Sequence, residues 1–123
     1  SSCIGSFDVG DYPVMRAMLR PRLREGLKTL YFSTKRSTVK VRHLRANPKS
    51  CVYFCDEKNT RSLLLVGEME VLYSLEERRR VWRRGDEIYY PEGMESEEYV
   101  ALRFTSRRAY IYENFAKAEI PVG

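Results

Sequence analysis

Apolar and polar side chains alternate with a period of two along most of the chain, which is the pattern of strands with one buried face. Segments of this kind cover residues 2–9, 12–20, 28–34, 61–74, 98–105 and 108–115. Residues 49–57 are instead apolar on both faces, which predicts a central strand. Most links between these seven segments are short, so we expect antiparallel neighbours. Such a sheet protects its edges by closing, and the pattern therefore predicts a mainly β, antiparallel barrel.

Two interruptions of this period predict short helices beside the barrel. Residues 37–46 place Val41 and Leu44 three positions apart among basic residues, after two residues of the type that starts helices. Asn47-Pro48 closes that segment, because a residue before proline avoids helical geometry. Residues 75–84 predict a second helix, which Gly85 ends.

The remaining segments are predicted as turns and loops. Gly10-Asp11 is a hairpin signal, and residues 21–26 and 86–96 read as loops, the latter with a short helical turn. Gly67 lies inside a strand, which indicates a bend or a close backbone approach. Residues 116–123 are predicted to be a peripheral tail.

Length and composition fit one folded domain over residues 1–123. The chain is 43% hydrophobic and 32% charged, which excludes an intrinsically disordered protein. The sequence contains neither a stretch of ~18 uncharged apolar residues, as a membrane span requires, nor a secretory signal pattern. The formal net charge of +5 favours anionic partners without specifying which.

The three cysteines and the single histidine offer little catalytic chemistry. Cys51 and Cys55 lie four residues apart on one strand, about 13 Å, which is too far for a disulfide or a shared metal. With Cys3 they form an odd set, and we interpret all three as reduced, buried residues of a cytoplasmic protein. His43 falls in the basic helix, where we expect it to be solvated. Neither a histidine-based triad nor a metal site is predicted.

A strand–turn–helix passage carries the strongest chemical signal. The strand ends at Thr34, the turn contains Ser37 and Thr38, and Lys40 lies in the first turn of the helix. Unpaired backbone N–H groups at a helix start favour an anion, hydroxyls donate to phosphate oxygens, and lysine adds a charge-assisted bond. On the second strand Arg16 lies between apolar neighbours, so it needs water, a carboxylate or an anionic ligand.

Several short motifs follow one another in an order that is specific as a set. They are Arg16-Ala17-Met18, Phe32-Ser33-Thr34, Thr38-Val39-Lys40, Leu44, Asn47-Pro48, Gly67-Glu68, Trp82 and Tyr89-Tyr90-Pro91-Glu92-Gly93. This order resembles the FMN-binding split-barrel family related to pyridoxamine 5'-phosphate oxidase, and most closely its short, general-stress-protein-like branch. The resemblance implies a small antiparallel Greek-key split β-barrel with two or three short flanking helices.

The resemblance also implies a strand that runs beside a bound FMN. The matching residues are Arg16, Ala17, Met18 and Leu19. Arg16 would be the side-chain contact, whereas the other three would contribute mainly backbone.

A second set of residues is implied for the phosphate. Ser33 and Thr34 match the strand end beneath the ribityl phosphate, and Thr38, Val39 and Lys40 match the phosphate-binding turn, with Lys40 as the main cation.

The phosphate turn departs from the family pattern at one position. The family usually has serine and then a basic residue before this lysine, and here a threonine and Val39 take those places. The hydroxyl is kept and one cation is lost, for which Arg36 or Arg42 could substitute.

The resemblance implies a homodimer with flavin at the subunit interface, where Trp82 or residues 89–92 could complete the site of the other chain. It implies an FMN-dependent oxidoreductase of unknown substrate, with a small-molecule or nicotinamide electron donor. The flavin would carry the hydride chemistry, so no catalytic side chain is predicted. Oxidation of pyridoxamine phosphate itself is not expected, because the C-terminal extension used for it is absent. The helix that usually precedes the first strand is also absent, and the chain begins with Ser1, so we expect an incomplete N-terminus.

Other readings stay open at this point. The flavin could be carried without catalysis, a deazaflavin or haem could replace it, or the barrel could be an empty structural dimer. A small-barrel nucleic-acid module is less favoured, because a charged helix face is usually only solvated. Its support lies in the basic and aromatic residues Arg78-Arg79-Arg80, Arg83-Arg84, Arg107-Arg108, Tyr110 and Tyr112.

Overall fold

A computed structural model describes residues 2–123 of the chain. Its eight strands are β1 (Ser2–Phe7), β2 (Pro13–Met18), β3 (Leu23–Glu25), β4 (Thr29–Lys35), β5 (Lys49–Asp56), β6 (Arg61–Leu72), β7 (Tyr99–Glu113) and β8 (Ala116–Ile120). They pair antiparallel in the order β2-β1-β5-β6-β7-β4-β3, and β8 pairs with β7. Over the described residues no ladder joins the edge strands β2 and β3, and the barrel is split there. The predicted mainly β, antiparallel split barrel is confirmed.

Two helices flank the barrel, as predicted. Helix α1 (Val39–Ala46) follows β4 and packs on β1 and β6, and α2 (Leu75–Val81) packs on β4 and β7. Two short 3-10 turns follow α2, at Asp86–Ile88 and Gly93–Glu95.

Apolar side chains form two cores. The first fills the barrel and contains Ile4, Leu30, Phe32, Leu44, Val52, Leu65, Met69, Leu102, Phe104 and Ala109. The second lies on the other face of β4 and β7, beneath α2, and contains Tyr31, Val81, Tyr90, Tyr99 and Ala101. Successive residues of a strand point to opposite faces, so β4 and β7 supply both cores.

The prediction of separate strands at 98–105 and 108–115 is wrong, because β7 runs continuously from Tyr99 to Glu113. The pairing register with β6 shifts between Val66 and Gly67, and this irregularity lets β7 continue. At the same level Ser106 is buried, and it donates its backbone N–H to Lys28 O at 2.8 Å and its hydroxyl to Leu27 O at 2.7 Å. The close approach predicted at Gly67 is confirmed, since a Cβ there would collide with the carbonyl oxygen of Thr105.

Two short edge strands lie where none was predicted. The segment 21–26, predicted as a loop, contains β3, which pairs with residues 29–31. The tail that was predicted to be peripheral contributes β8 at the sheet edge, where four of its five residues are exposed. Short edge strands give weak sequence signals, because few of their side chains are buried.

The second helix is shorter than predicted. It ends at Val81 instead of residue 84, and Trp82 is extended. The Trp82 ring packs edge-on against Tyr99, with ring centroids 4.9 Å apart, so tertiary packing ends the helix before Gly85.

Candidate functional site

The candidate site lies where β4 passes into α1. Lys40, in the first turn of the helix, folds back over the strand end and donates from Nζ to Thr34 Oγ1 at 2.6 Å. Thr34 is buried and Lys40 is half-buried. The turn therefore places an ammonium group next to a hydroxyl at the edge of the barrel interior.

Arg16 approaches from β2. It pairs with the core residue Ile4 across the β1–β2 ladder, which places its side chain on the barrel side of the sheet. Its Nη1 donates to the hydroxyl of the buried Ser6 at 3.1 Å.

Arg16 and Lys40 influence each other electrostatically. Burial lowers the pKa of Arg16, and burial followed by the positive charge of Arg16 lowers the pKa of Lys40. Among the ion pairs of residues 2–123, none involves either side chain. Two partly buried cations without a carboxylate partner destabilise the free protein and favour an anionic ligand.

The turn hydroxyls are engaged within the chain. Ser37 donates to Glu98 Oε2 at 2.6 Å, and Thr38 donates from Oγ1 to Lys35 O at 2.8 Å. Thr38 occupies the predicted N-cap position, but its side chain accepts no hydrogen bond from the helix backbone. The first backbone N–H groups of α1 are therefore not capped by Thr38.

Other predicted site residues lie apart from this cluster. Ser33 faces Tyr99 in the second core, on the opposite face of β4 from Thr34. Ala17, Leu19 and Val39 are exposed.

Of the predicted site residues, Lys40 contacts Thr34, and Arg16 lies close enough to Lys40 to lower its pKa. Met18 packs against the barrel core. Sequence reasoning missed Ser6, although its position two residues after Ile4 on one strand places it on the same face.

The arginines considered as substitutes for the missing cation lie beside the predicted turn. Arg36 and Arg42 line a cleft of about 460 Å³ together with Ser37, Thr38 and Val39, and Lys40 does not line it. The Arg36 guanidinium lies over the Tyr73 ring, 4.8 Å from its centroid.

The basic residues behind the nucleic-acid alternative mostly bind partners within the chain. Arg78 donates to the carbonyls of Met94 and Ser96 at 2.9 Å each, and Arg107 pairs with Glu68. The structure therefore offers less free positive charge for a nucleic acid than the sequence indicates.

The side chains considered as haem ligands are all buried or half-buried. His43 is buried, contrary to the predicted solvated position, because α1 turns it toward the barrel. The cysteines are free and half-buried, and within residues 2–123 no cluster of three metal-binding side chains occurs.

Comparison with known proteins decides the family. The family described as "Pyridoxamine 5'-phosphate oxidase like" matches residues 11–121. The chain belongs to the pyridoxamine 5'-phosphate oxidase-like family. Membership confirms the resemblance that the motif order indicated. No curated protein matches the sequence significantly.

Solved structures of this pyridoxamine 5'-phosphate oxidase-like fold resemble the chain closely. A Clostridium acetobutylicum protein related to general stress protein 26 of Bacillus subtilis is 33% identical, with a TM-score of 0.89 over 98% of this chain and 84% of that one. General stress protein 26 of Bacillus anthracis is 15% identical, with a TM-score of 0.76 over 97% and 88%. A Nostoc punctiforme protein described as pyridoxamine 5'-phosphate oxidase-related and FMN binding is 9% identical, with a TM-score of 0.70 over 96% and 78%. The last two show the fold alone.

No helix among the described residues is long and apolar enough to cross a membrane.

Proposed function

We propose that the chain is a homodimeric FMN-binding oxidoreductase with the flavin at the subunit interface. The observation that carries this proposal is the pair of partly buried cations Arg16 and Lys40, which have no ion-pair partner among residues 2–123. A phosphate dianion would supply the missing negative charge.

The proposed site assigns a role to each predicted segment. Lys40 and Arg16 would neutralise the phosphate, Thr34 would donate to it, and the uncapped start of α1 would add backbone N–H donors. The backbone of residues 17–19 would lie along the ring system. When bound, FMN supplies hydride chemistry, and this chain's residues bind and orient it.

An apolar outer face of the sheet supports the dimer. Cys3 lies opposite Ala17 and Tyr53, and Gly5 lies opposite Met15 and Cys51, with all these positions on the face away from the barrel core. Met15 is 62% exposed in the single chain. A second copy seated on this face would bury it.

Trp82 and residues 89–92, which were predicted to complete the flavin site of the other chain, differ in how freely they could reach it. Trp82 packs against Tyr90 and Tyr99 of its own chain, which leaves it little freedom to reach a partner. Tyr89 is 68% exposed and remains the better candidate.

The FMN site is tested by titrating the flavin-free protein with FMN and following flavin fluorescence. Lys40→Ala removes one charge-assisted bond of about 1.5–3 kcal/mol, so affinity should fall roughly ten- to a hundredfold. Lys58→Ala removes an exposed lysine in the β5–β6 turn and should leave the affinity for FMN unchanged. Equal affinity of the two variants would contradict the phosphate assignment.

Cofactor identity and catalysis need their own measurements. The protein incubated with FMN and desalted should show both flavin absorption bands, and mass spectrometry of the released molecule should give FMN. Anaerobic addition of NADH or NADPH should then bleach the spectrum. A flavin reduced by dithionite but by neither nucleotide would argue for a flavin carrier or for another donor.

The dimer is tested by sedimentation. Tyr53→Glu places a charge on the outer face and should give a monomer, whereas Lys58→Glu in the exposed turn should not. If both variants remain dimeric, another surface forms the interface.

A further inference from the structure

A second cavity lies where the barrel is split, between the end of β2 and strand β3. Its volume is about 620 Å³, within the range of small-molecule sites. Its apolar lining includes Met18, Leu27, Leu30, Phe54, Leu63 and Leu65. Two of these side chains, Leu30 and Leu65, belong to the barrel core, so the cavity extends inward from the surface.

Three arginines stand at alternate positions along the rim, and they differ in what they bind. Arg22 forms a bidentate ion pair with Asp86, in which both N···O distances are 3.0 Å. Arg20 and Arg24 line the same cavity and are exposed. Within residues 2–123, neither of them forms an ion pair.

An apolar cavity with unpaired cations at its mouth has a definite chemical preference. The apolar lining favours a ligand with an apolar chain, because burying that chain removes its surface from water. A neutral or cationic head group would leave the arginine charges at the rim without a counter-charge. A carboxylate matches the planar, two-donor geometry of a guanidinium.

We infer that this cavity is a binding site for amphipathic carboxylates, with the apolar chain inside the split barrel and the carboxylate at Arg20 and Arg24. The inference goes beyond the proposed function. The cavity adjoins the proposed flavin strand, because Met18 and Leu19 line it. Arg20 and Arg24 are not among the proposed phosphate ligands, and their contact with a carboxylate requires no bound flavin.

Calorimetric titration of the full chain with dodecanoate, below its micellar concentration, tests the site. Dodecanoate should bind more tightly than dodecyltrimethylammonium, which has the same chain and the opposite charge. Decanoate should bind about fifteenfold more weakly than dodecanoate, since each buried methylene is worth roughly fourfold.

Variants locate the binding within the cavity. Arg20→Gln and Arg24→Gln should each weaken dodecanoate binding about two- to fivefold, the size expected for an exposed ion pair. Arg84→Gln, an exposed arginine that does not line the cavity, is the matched control. Leu27→Trp should block the cavity and remove binding, and Leu63→Phe tests the same point with a smaller change.

The outcomes separate this inference from the flavin proposal. FMN affinity should be unchanged in the arginine variants, and Lys40→Ala should leave dodecanoate binding intact. Equal binding of the anionic and cationic amphiphiles, or the same weakening by Arg84→Gln as by Arg24→Gln, would overturn the carboxylate site. Undiminished binding in folded Leu27→Trp and Leu63→Phe proteins would also overturn it.

Discussion

Asp86 ties the segment after α2 to the chain that enters β3, and its removal should destabilise the protein strongly. The carboxylate is buried and accepts hydrogen bonds from Nη1 and Nη2 of Arg22, from the backbone N–H of Arg83 at 2.9 Å and from the hydroxyl of Tyr99 at 3.3 Å. Asp86→Ala leaves the Arg22 charge without a partner, although that side chain is only 15% exposed.

The expected cost follows from the burial of the pair. Removing one member of a buried ion pair costs about 3–5 kcal/mol, and the slight exposure of Arg22 favours the lower end, about 3 kcal/mol. Arg22→Met should cost a similar amount. The double variant should cost about 2 kcal/mol less than the sum of the single variants, because no charge is then left buried alone.

Urea unfolding followed by tryptophan fluorescence measures these costs. Trp82 is the single tryptophan, and its contact with Tyr99 is lost on unfolding. With a slope of roughly 1–3 kcal/mol/M, a 3 kcal/mol loss lowers the midpoint by about 1–3 M. Protein concentration is held constant, since a dimer's stability depends on it. A loss below about 1 kcal/mol for Asp86→Ala, or strictly additive single variants, would refute the reasoning.

Two further predictions concern stability. Phe115 is 86% exposed in the β7–β8 turn with φ of 62°, and it follows Asn114 with φ of 53°, so Phe115→Gly creates an Asn-Gly turn and should stabilise the protein by about 1 kcal/mol in the same urea assay. Lys40→Met should raise the thermal midpoint of the flavin-free protein at pH 7.5, because the folded state disfavours the charged ammonium. Since the folded-state pKa of Lys40 lies below the ordinary 10.5, the wild type gains stability as pH rises through that lowered pKa, and the advantage of Lys40→Met should shrink toward pH 10. An advantage that is constant or grows with pH would contradict the burial of this charge.

Local patterns were enough to predict the barrel class and the strand–turn–helix passage. The period-two alternation identified five of the eight strands in outline, and the run that is apolar on both faces identified β5. The hydroxyl and lysine types singled out Thr34 and Lys40, which the structure joins by a hydrogen bond. These features depend on neighbours within about ten residues, so the sequence contains them directly.

Features that depend on distant partners were missed or misplaced. The Arg22–Asp86 pair joins positions 64 residues apart, and β3 exists because it pairs with β4. Ser33 and Thr34 are adjacent and point to opposite faces of β4. The sequence alone does not show which of the two side chains lies on the face of Lys40, and the fold places Thr34 there. His43 is buried because of the way α1 packs on the barrel, and the sequence of the helix alone does not determine that packing.

Strand β4 has a consequence for the protein while it is being synthesised. Tyr31 pairs with Arg103 of β7, which is synthesised 72 residues later. One edge of β4 therefore remains without its pairing strand until β7 has been made. At roughly 5–20 residues per second, that delay is about 4–14 s on the ribosome. During this time Leu30, Tyr31 and Phe32, which are buried on both faces in the finished barrel, have no completed sheet to cover them. The nascent chain is therefore most prone to wrong pairing between the emergence of β4 and that of β7.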